Sequence, residues 1–275
     1  MPSADDRPAL TAIWTPGRLL ADVAATLRFF SRIAVPAVNR HDDPARLPDF
    51  RRAAAVAPVS AIVIALPGIT VFWLALQTAL PASVAALFGL AVGIALTGAL
   101  HEDGLADVAD GFFGAGRPER RLEIMKDSRI GAFGTLALIS ALGLKTLLVA
   151  TLALRYGGGG AALGWLAAES GSRAAFVAVW KALPPARPDG LAAKCGTPTR
   201  RAVDFAAALA LLPFAAALSV YGPAAVTLAI VAQAAAGVAV ARLAIAKIGG
   251  QTGDVLGATQ QASCLAGLTG LCILV

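Results

Sequence analysis

Charged side chains are scarce in this chain, and their scarcity is the most informative thing about it. Asp, Glu, Lys and Arg make up 15% of the 275 residues, against about 25% in an ordinary globular domain. A water-soluble protein of this length would lack the polar surface to cover its core. Aromatic residues are also few, at 6%, which argues against a nucleic-acid partner despite the net charge of +6 and an isoelectric point near 9.7. The three cysteines, Cys195, Cys264 and Cys272, form no paired spacing and read as reduced bystanders. The first seventeen residues lack an apolar h-region, so no cleaved signal peptide is expected, and targeting falls to the transmembrane segments.

What the chain has in abundance is apolar length. Hydrophobic residues reach 57% and the mean hydropathy is +0.73. A spanning helix needs about 20 mostly apolar residues. Seven stretches meet that measure: 53–79, 83–100, 132–154, 160–180, 203–220, 224–244 and 256–275. Turn signals separate them, among them Leu80-Pro81, Gly157 to Gly160, Pro184-Pro185 and Gly222-Pro223. Pro58 and Pro67 predict an irregular first span. Residues 16–35 differ: Thr15 and Pro16 open a helix whose apolar positions recur at helical spacing, interrupted by Asp22, Arg28 and Arg32. That pattern predicts an amphipathic helix lying on the membrane surface. The expectation is an all-α, polytopic membrane bundle forming one catalytic domain over 1–275, with a catalytic segment at 101–131. Twenty Lys and Arg fall on one side of the implied topology and only Arg155 on the other. The positive-inside rule then places the N-terminus and the charged loops in the cytoplasm.

The patterned acidic segment is His101-Glu102-Asp103-Gly104-Leu105-Ala106-Asp107-Val108-Ala109-Asp110-Gly111. Asp103, Asp107 and Asp110 stand at i, i+4 and i+7 and share one helix face. Like charges so stacked call for a cation, and no basic residue occurs between 101 and 116. A hard divalent ion such as Mg²⁺ is the economical answer, with Glu102 beside it and Asp254 as a further ligand. The plain alternative is three carboxylates solvating a helix end. Downstream, Arg117, Arg120, Arg121, Lys126 and Arg129 supply cations suited to phosphate oxygens; equally, they serve as a topology signal with local ion pairs. The turn from Gly249 to Gly257, with Gln251 and Asp254, offers backbone amides to a phosphate. Within the fourth span Glu169 and Arg173 are intramembrane charges, functional by default or mutually neutralising, and Lys145 is placed to pair with Glu169.

Together these blocks resemble the cobalamin synthase family, adenosylcobinamide-GDP ribazoletransferase. The resemblance rests on Phe29-Phe30-Ser31-Arg32-Ile33-Ala34-Val35-Pro36, the Glu102 to Gly111 core, the run from Arg121 to Gly131, and Gly250 to Ala258. Phe112-Phe113 and the residues before about 16 depart from the familiar pattern. The resemblance implies a multi-pass inner-membrane transferase that joins α-ribazole, or its 5′-phosphate, to adenosylcobinamide-GDP with Mg²⁺ and releases GMP. It implies Asp103, Asp107 and Asp110 as catalytic, with Glu102 and Asp254 completing the metal set. Lys126 and Arg129 would hold the leaving phosphate, with Arg120, Arg121, Arg173, Gln251 and Asp254 binding substrate. Membrane lipid is the expected surrounding, and a homo-oligomer is compatible with the sequence. A CDP-alcohol phosphotransferase also places aspartates at helix ends, but its Asp-Gly-x-x-Ala-Arg opening lacks its arginine here. A transporter would account for Lys145, Glu169 and Arg173, yet no internal repeat is present.

Overall fold

A computed structural model of the chain describes residues 15–187 and 190–274, so the expectations for the first fourteen residues lie outside it. Ten α-helices appear among the described residues: α1 (Pro16–Phe30), α2 (Phe50–Ala53), α3 (Ala57–Ala75), α4 (Ala82–Thr97), α5 (Leu100–Gly114), α6 (Pro118–Ile124), α7 (Ala132–Ala182), α8 (Leu191–Lys194), α9 (Arg200–Ile248) and α10 (Gly253–Ile273). The only extended pairing among them is an isolated bridge between Pro185 and Gln251.

Among the described residues three continuous helices are long and apolar enough to cross a membrane: Phe50–Ala75, α7 and α9. The bent pair α4 and α5 qualifies jointly as a fourth. Two of the three are hairpins. On a straight helix Lys145 and Glu169 would stand about 36 Å apart at 1.5 Å per residue, yet Lys145 Nζ lies 2.6 Å from Glu169 Oε1. The reversal is Gly157, at φ 70° and ψ 173°, a conformation that a side chain resists. Gly222 repeats it in α9 at φ 75° and ψ 165°, and Phe214 and Gln233 consequently meet at Gly171 of α7. Each reversal occupies a single residue. The seven apolar stretches of the sequence thus reappear as seven helical arms.

The outward faces are apolar, with Leu136, Ile139, Leu147, Leu154 and Leu212 all exposed, as lipid contact requires. α10 lies inside the bundle against α5, α7 and α9. It is not apolar enough to register as a span, because Thr259, Gln260, Gln261 and Ser263 are buried and turned inward. α1 ends at Phe30, five residues earlier than expected, and the chain runs non-helically into Val35-Pro36. Asp22, one of the charges interrupting the apolar pattern of this helix, is buried and bonded to Arg52 by two contacts of 2.7 Å. Thr26 Oγ1 and Ser60 Oγ, 2.6 Å apart, join α1 to α3.

Candidate active site

The acidic helix is aimed by the turn before it. Gly98 and Ala99 both take left-handed dihedrals, at φ 64° and φ 60°, and bend α5 through 88° from α4. α5 therefore runs across the charged end of the bundle rather than along it. Gly104 packs on the backbone of Asp254: a Cβ at Gly104 would lie 2.9 Å from the Asp254 carbonyl oxygen and 3.0 Å from its Cα. That approach sets the N-terminus of α10 beside Asp103 and Asp107. Burial, then the Asp254, Asp103 and Asp110 carboxylates, push the Asp107 carboxyl up to about 7. Burial raises Asp254 as well, against the pull of Arg187, whose Nη1 stands 3.7 Å from Asp254 Oδ2.

Two expected members of the acidic set are engaged elsewhere. Asp110 accepts the Gly131 and Gly134 amides at 2.7 and 2.8 Å, capping the start of α7, where a carboxylate meets unpaired N–H groups and the positive end of the helix dipole. Glu102 turns inward and accepts from Gln261 Nε2 at 2.9 Å. Among the described residues no three His, Cys, Asp or Glu side chains converge closely enough to hold a metal ion unaided. The five-ligand set expected from the sequence is therefore not assembled. Asp103, Asp107 and Asp254 remain as an open acidic face.

The cations divide in the same way. Lys126 and Arg129 line a groove with Asp103, Asp107 and Ser128, and both are exposed. Arg129 forms a fork with Asp127, at 2.6 Å for Nη2, and this hydrogen bonding draws Asp127 down to about 2. Arg121 instead donates to the Ala115 and Lys247 carbonyls, both at 2.9 Å, tying α6 to the end of α9. Arg120 pairs on the surface with Glu123. Arg173 is buried behind the site, donating to His101 and stacking 4.6 Å from the Phe30 ring centroid. None of these three arginines lines the groove or the cavity beside the acidic face.

On the other side of Asp103 lies a cavity of about 230 Å³ whose lining includes Asp254, Gln251 and Arg187 and the rings of Phe29, Phe30, Phe176 and Trp180. In the glycine turn the Gln251 amide is engaged, donating to Pro184 O at 2.8 Å. Thr252 Oγ1 accepts from Val255 N at 3.3 Å.

A model of the protein family described as Cobalamin-5-phosphate synthase matches residues 22–272. The chain belongs to that family. The adenosylcobinamide-GDP ribazoletransferase of Brucella anthropi is 44% identical over 255 residues, covering 92% of this chain and 96% of that protein. Those of Brucella canis and Brucella melitensis biotype 1 are each 43% identical over 254 residues, with the same coverage. No solved structure matches the chain.

Every residue of the acidic face, the basic groove and the aromatic cavity falls inside the cobalamin-5-phosphate synthase match. Sequence reasoning missed Arg187 as part of this site, counting it only as a topology charge. Its one signal was a position just after Pro184-Pro185, at the mouth of a span. The intramembrane charges resolve into a packed network: Glu169 accepts from Lys145, from Gln260 at 2.9 Å and from Trp165 at 3.3 Å, the satisfied state that a buried ion pair requires.

Proposed function

We propose that this chain joins α-ribazole, or its 5′-phosphate, to adenosylcobinamide-GDP and releases GMP, working with Mg²⁺ at the cytoplasmic face of the inner membrane. The observation that carries this reading is the open acidic face of Asp103, Asp107 and Asp254 between an aromatic cavity and a basic groove. A diphosphate ester with a flat base on one side suits that order of surfaces. The twenty-to-one partition of Lys and Arg supports the orientation.

The donor set consists of hard carboxylate oxygens, and Asp107 is raised by burial and by the neighbouring carboxylates, against only the partial pull of Arg187. Mg²⁺ characteristically takes one or two carboxylates and completes its shell with water and substrate phosphate, so the absence of a closed protein site fits this ion. When bound, it supplies charge neutralisation on the diphosphate. One or two of Asp103, Asp107 and Asp254 would hold it. Lys126 and Arg129 take up charge that builds on the phosphate oxygens as the leaving group departs. A free ribose hydroxyl of the ribazole attacks the corrinoid-side phosphorus while the bond to the GMP phosphate breaks, and a carboxylate of the acidic face accepts the hydroxyl proton.

Membranes containing the chain, given adenosylcobinamide-GDP, α-ribazole and Mg²⁺, are expected to release one GMP per cobalamin formed, to stop on addition of EDTA and to resume with excess Mg²⁺. Absence of GMP from correctly inserted protein would overturn the reaction, and turnover indifferent to EDTA would overturn the metal. Release of CMP from a CDP-alcohol instead would identify the lipid-type transferase.

A further inference from the structure

The aromatic cavity is lined by residues that hold unpaired polar atoms. Trp180 and Gln251 are 2% and 3% exposed, and each holds a polar atom without a partner among the described residues: the Trp180 Nε1–H donor and the Gln251 Oε1 acceptor. Arg187 contributes a third, its Nε–H donor, although its Nη2 is bonded to Leu122 O at 2.7 Å. All three residues line the cavity. Buried polar atoms in folded proteins are almost always paired, so three orphans around one cavity point to a ligand. Its complement is a flat ring with two acceptors and one donor, gripped by aromatic faces.

We propose that this cavity holds the guanine of the nucleotide, an assignment that rests on the transfer reaction above. Guanine offers O6 and N7 as adjacent acceptors for the two N–H groups and N1–H or N2–H for Gln251. Adenine places an amino donor where guanine has O6, setting donor against donor. The benzimidazole of α-ribazole has a single free ring nitrogen and no N–H, leaving Gln251 and one donor unpaired. Asp103 and Asp254 line the same cavity, so a guanine seated in it brings the attached diphosphate to the acidic face.

The test is equilibrium binding of GMP, 7-deaza-GMP, AMP and α-ribazole to the full chain in lipid nanodiscs with Mg²⁺. GMP is expected to bind at least about tenfold more tightly than AMP, the effect of losing one well-placed pair, and α-ribazole is expected not to displace it. Gln251→Leu should erase the preference for GMP over AMP and leave α-ribazole binding unchanged. Trp180→Phe keeps a ring and removes the N–H; it should weaken GMP severalfold. A variant that still binds α-ribazole normally is folded. AMP binding equal to GMP, competition between α-ribazole and GMP, or a Gln251→Leu effect confined to α-ribazole would each overturn the assignment. Guanine selectivity without GMP release from adenosylcobinamide-GDP would sink the reaction and spare the cavity; GMP release without selectivity would do the reverse.

Discussion

Gly104→Ala tests whether the acidic face depends on the close approach of α5 to α10. The added methyl would sit 2.9 and 3.0 Å from backbone atoms of Asp254, and comfortable carbon contacts begin near about 3.5 Å. No side chain can swing aside, so the helices must part by roughly half an ångström, carrying Asp103 and Asp107 away from Asp254. Overpacking of this kind costs about 1–3 kcal/mol, which a bundle tolerates. Catalysis is less forgiving, since misplacement on the order of 1 Å can cost roughly 10²-fold in rate. Gly104→Ala should therefore remain inserted and helical while GMP release falls by about one to two orders of magnitude. Gly143→Ala is the matched control: its Cβ would meet nothing within 4 Å, and helix propensity alone makes alanine better by about 0.5–1 kcal/mol. Single-turnover GMP release in nanodiscs, with circular dichroism on the same samples, measures both. Near-normal turnover in Gly104→Ala would refute the idea that this contact sets the carboxylate geometry.

Asp107 and Asp110 should separate chemistry from capping: Asp107→Asn is expected to abolish GMP release with no loss of melting temperature at pH 7 and above. Asp110→Ala should instead lower thermal stability by about 0.5–2 kcal/mol and leave the Mg²⁺ concentration for half-maximal activity nearly unchanged. The pH dependence of stability follows from the sign of the Asp107 shift. A carboxyl moved from 3.8 to about 7 in the folded state holds its proton more tightly folded than unfolded. That contribution to stability is fully present below about 4 and is lost as pH rises through 7. Metal-free protein should thus melt lower at pH 8 than at pH 5, and Asp107→Asn should flatten the difference; a slope of the opposite sign would refute the mutual repulsion of the acidic face. Lys126→Ala should raise KM for the diphosphate substrate. Arg121→Ala, which frees the Ala115 and Lys247 carbonyls, should lower stability with KM unchanged, and the two are told apart by steady-state kinetics beside thermal unfolding.

The apolar stretches made the arms of the bundle legible in the sequence because their lengths and turn signals are local properties. The hairpins at Gly157 and Gly222 were legible for the same reason. Local spacing also placed Asp103, Asp107 and Asp110 on a helix, but it could not say which neighbour each carboxylate would meet. Asp110 meets the amides that begin α7, more than twenty residues away in sequence, and Glu102 meets Gln261 across the bundle. Arg121 was unreadable for a related reason: the carbonyls it ties down belong partly to the far end of α9. Arg187 entered the site, and Arg173 left it, through packing between arms whose relative placement no single segment encodes. The inward-facing amides of α10 lowered its apolarity, and only the bundle around it explains why a polar helix is enclosed there.

The one-residue reversals at Gly157 and Gly222 leave these two corners of the molecule with scarcely any backbone to grasp. A protease or an inserted epitope applied there would find little to cut or display at these two corners. Growth by insertion at either corner would have to break a helix rather than lengthen a loop.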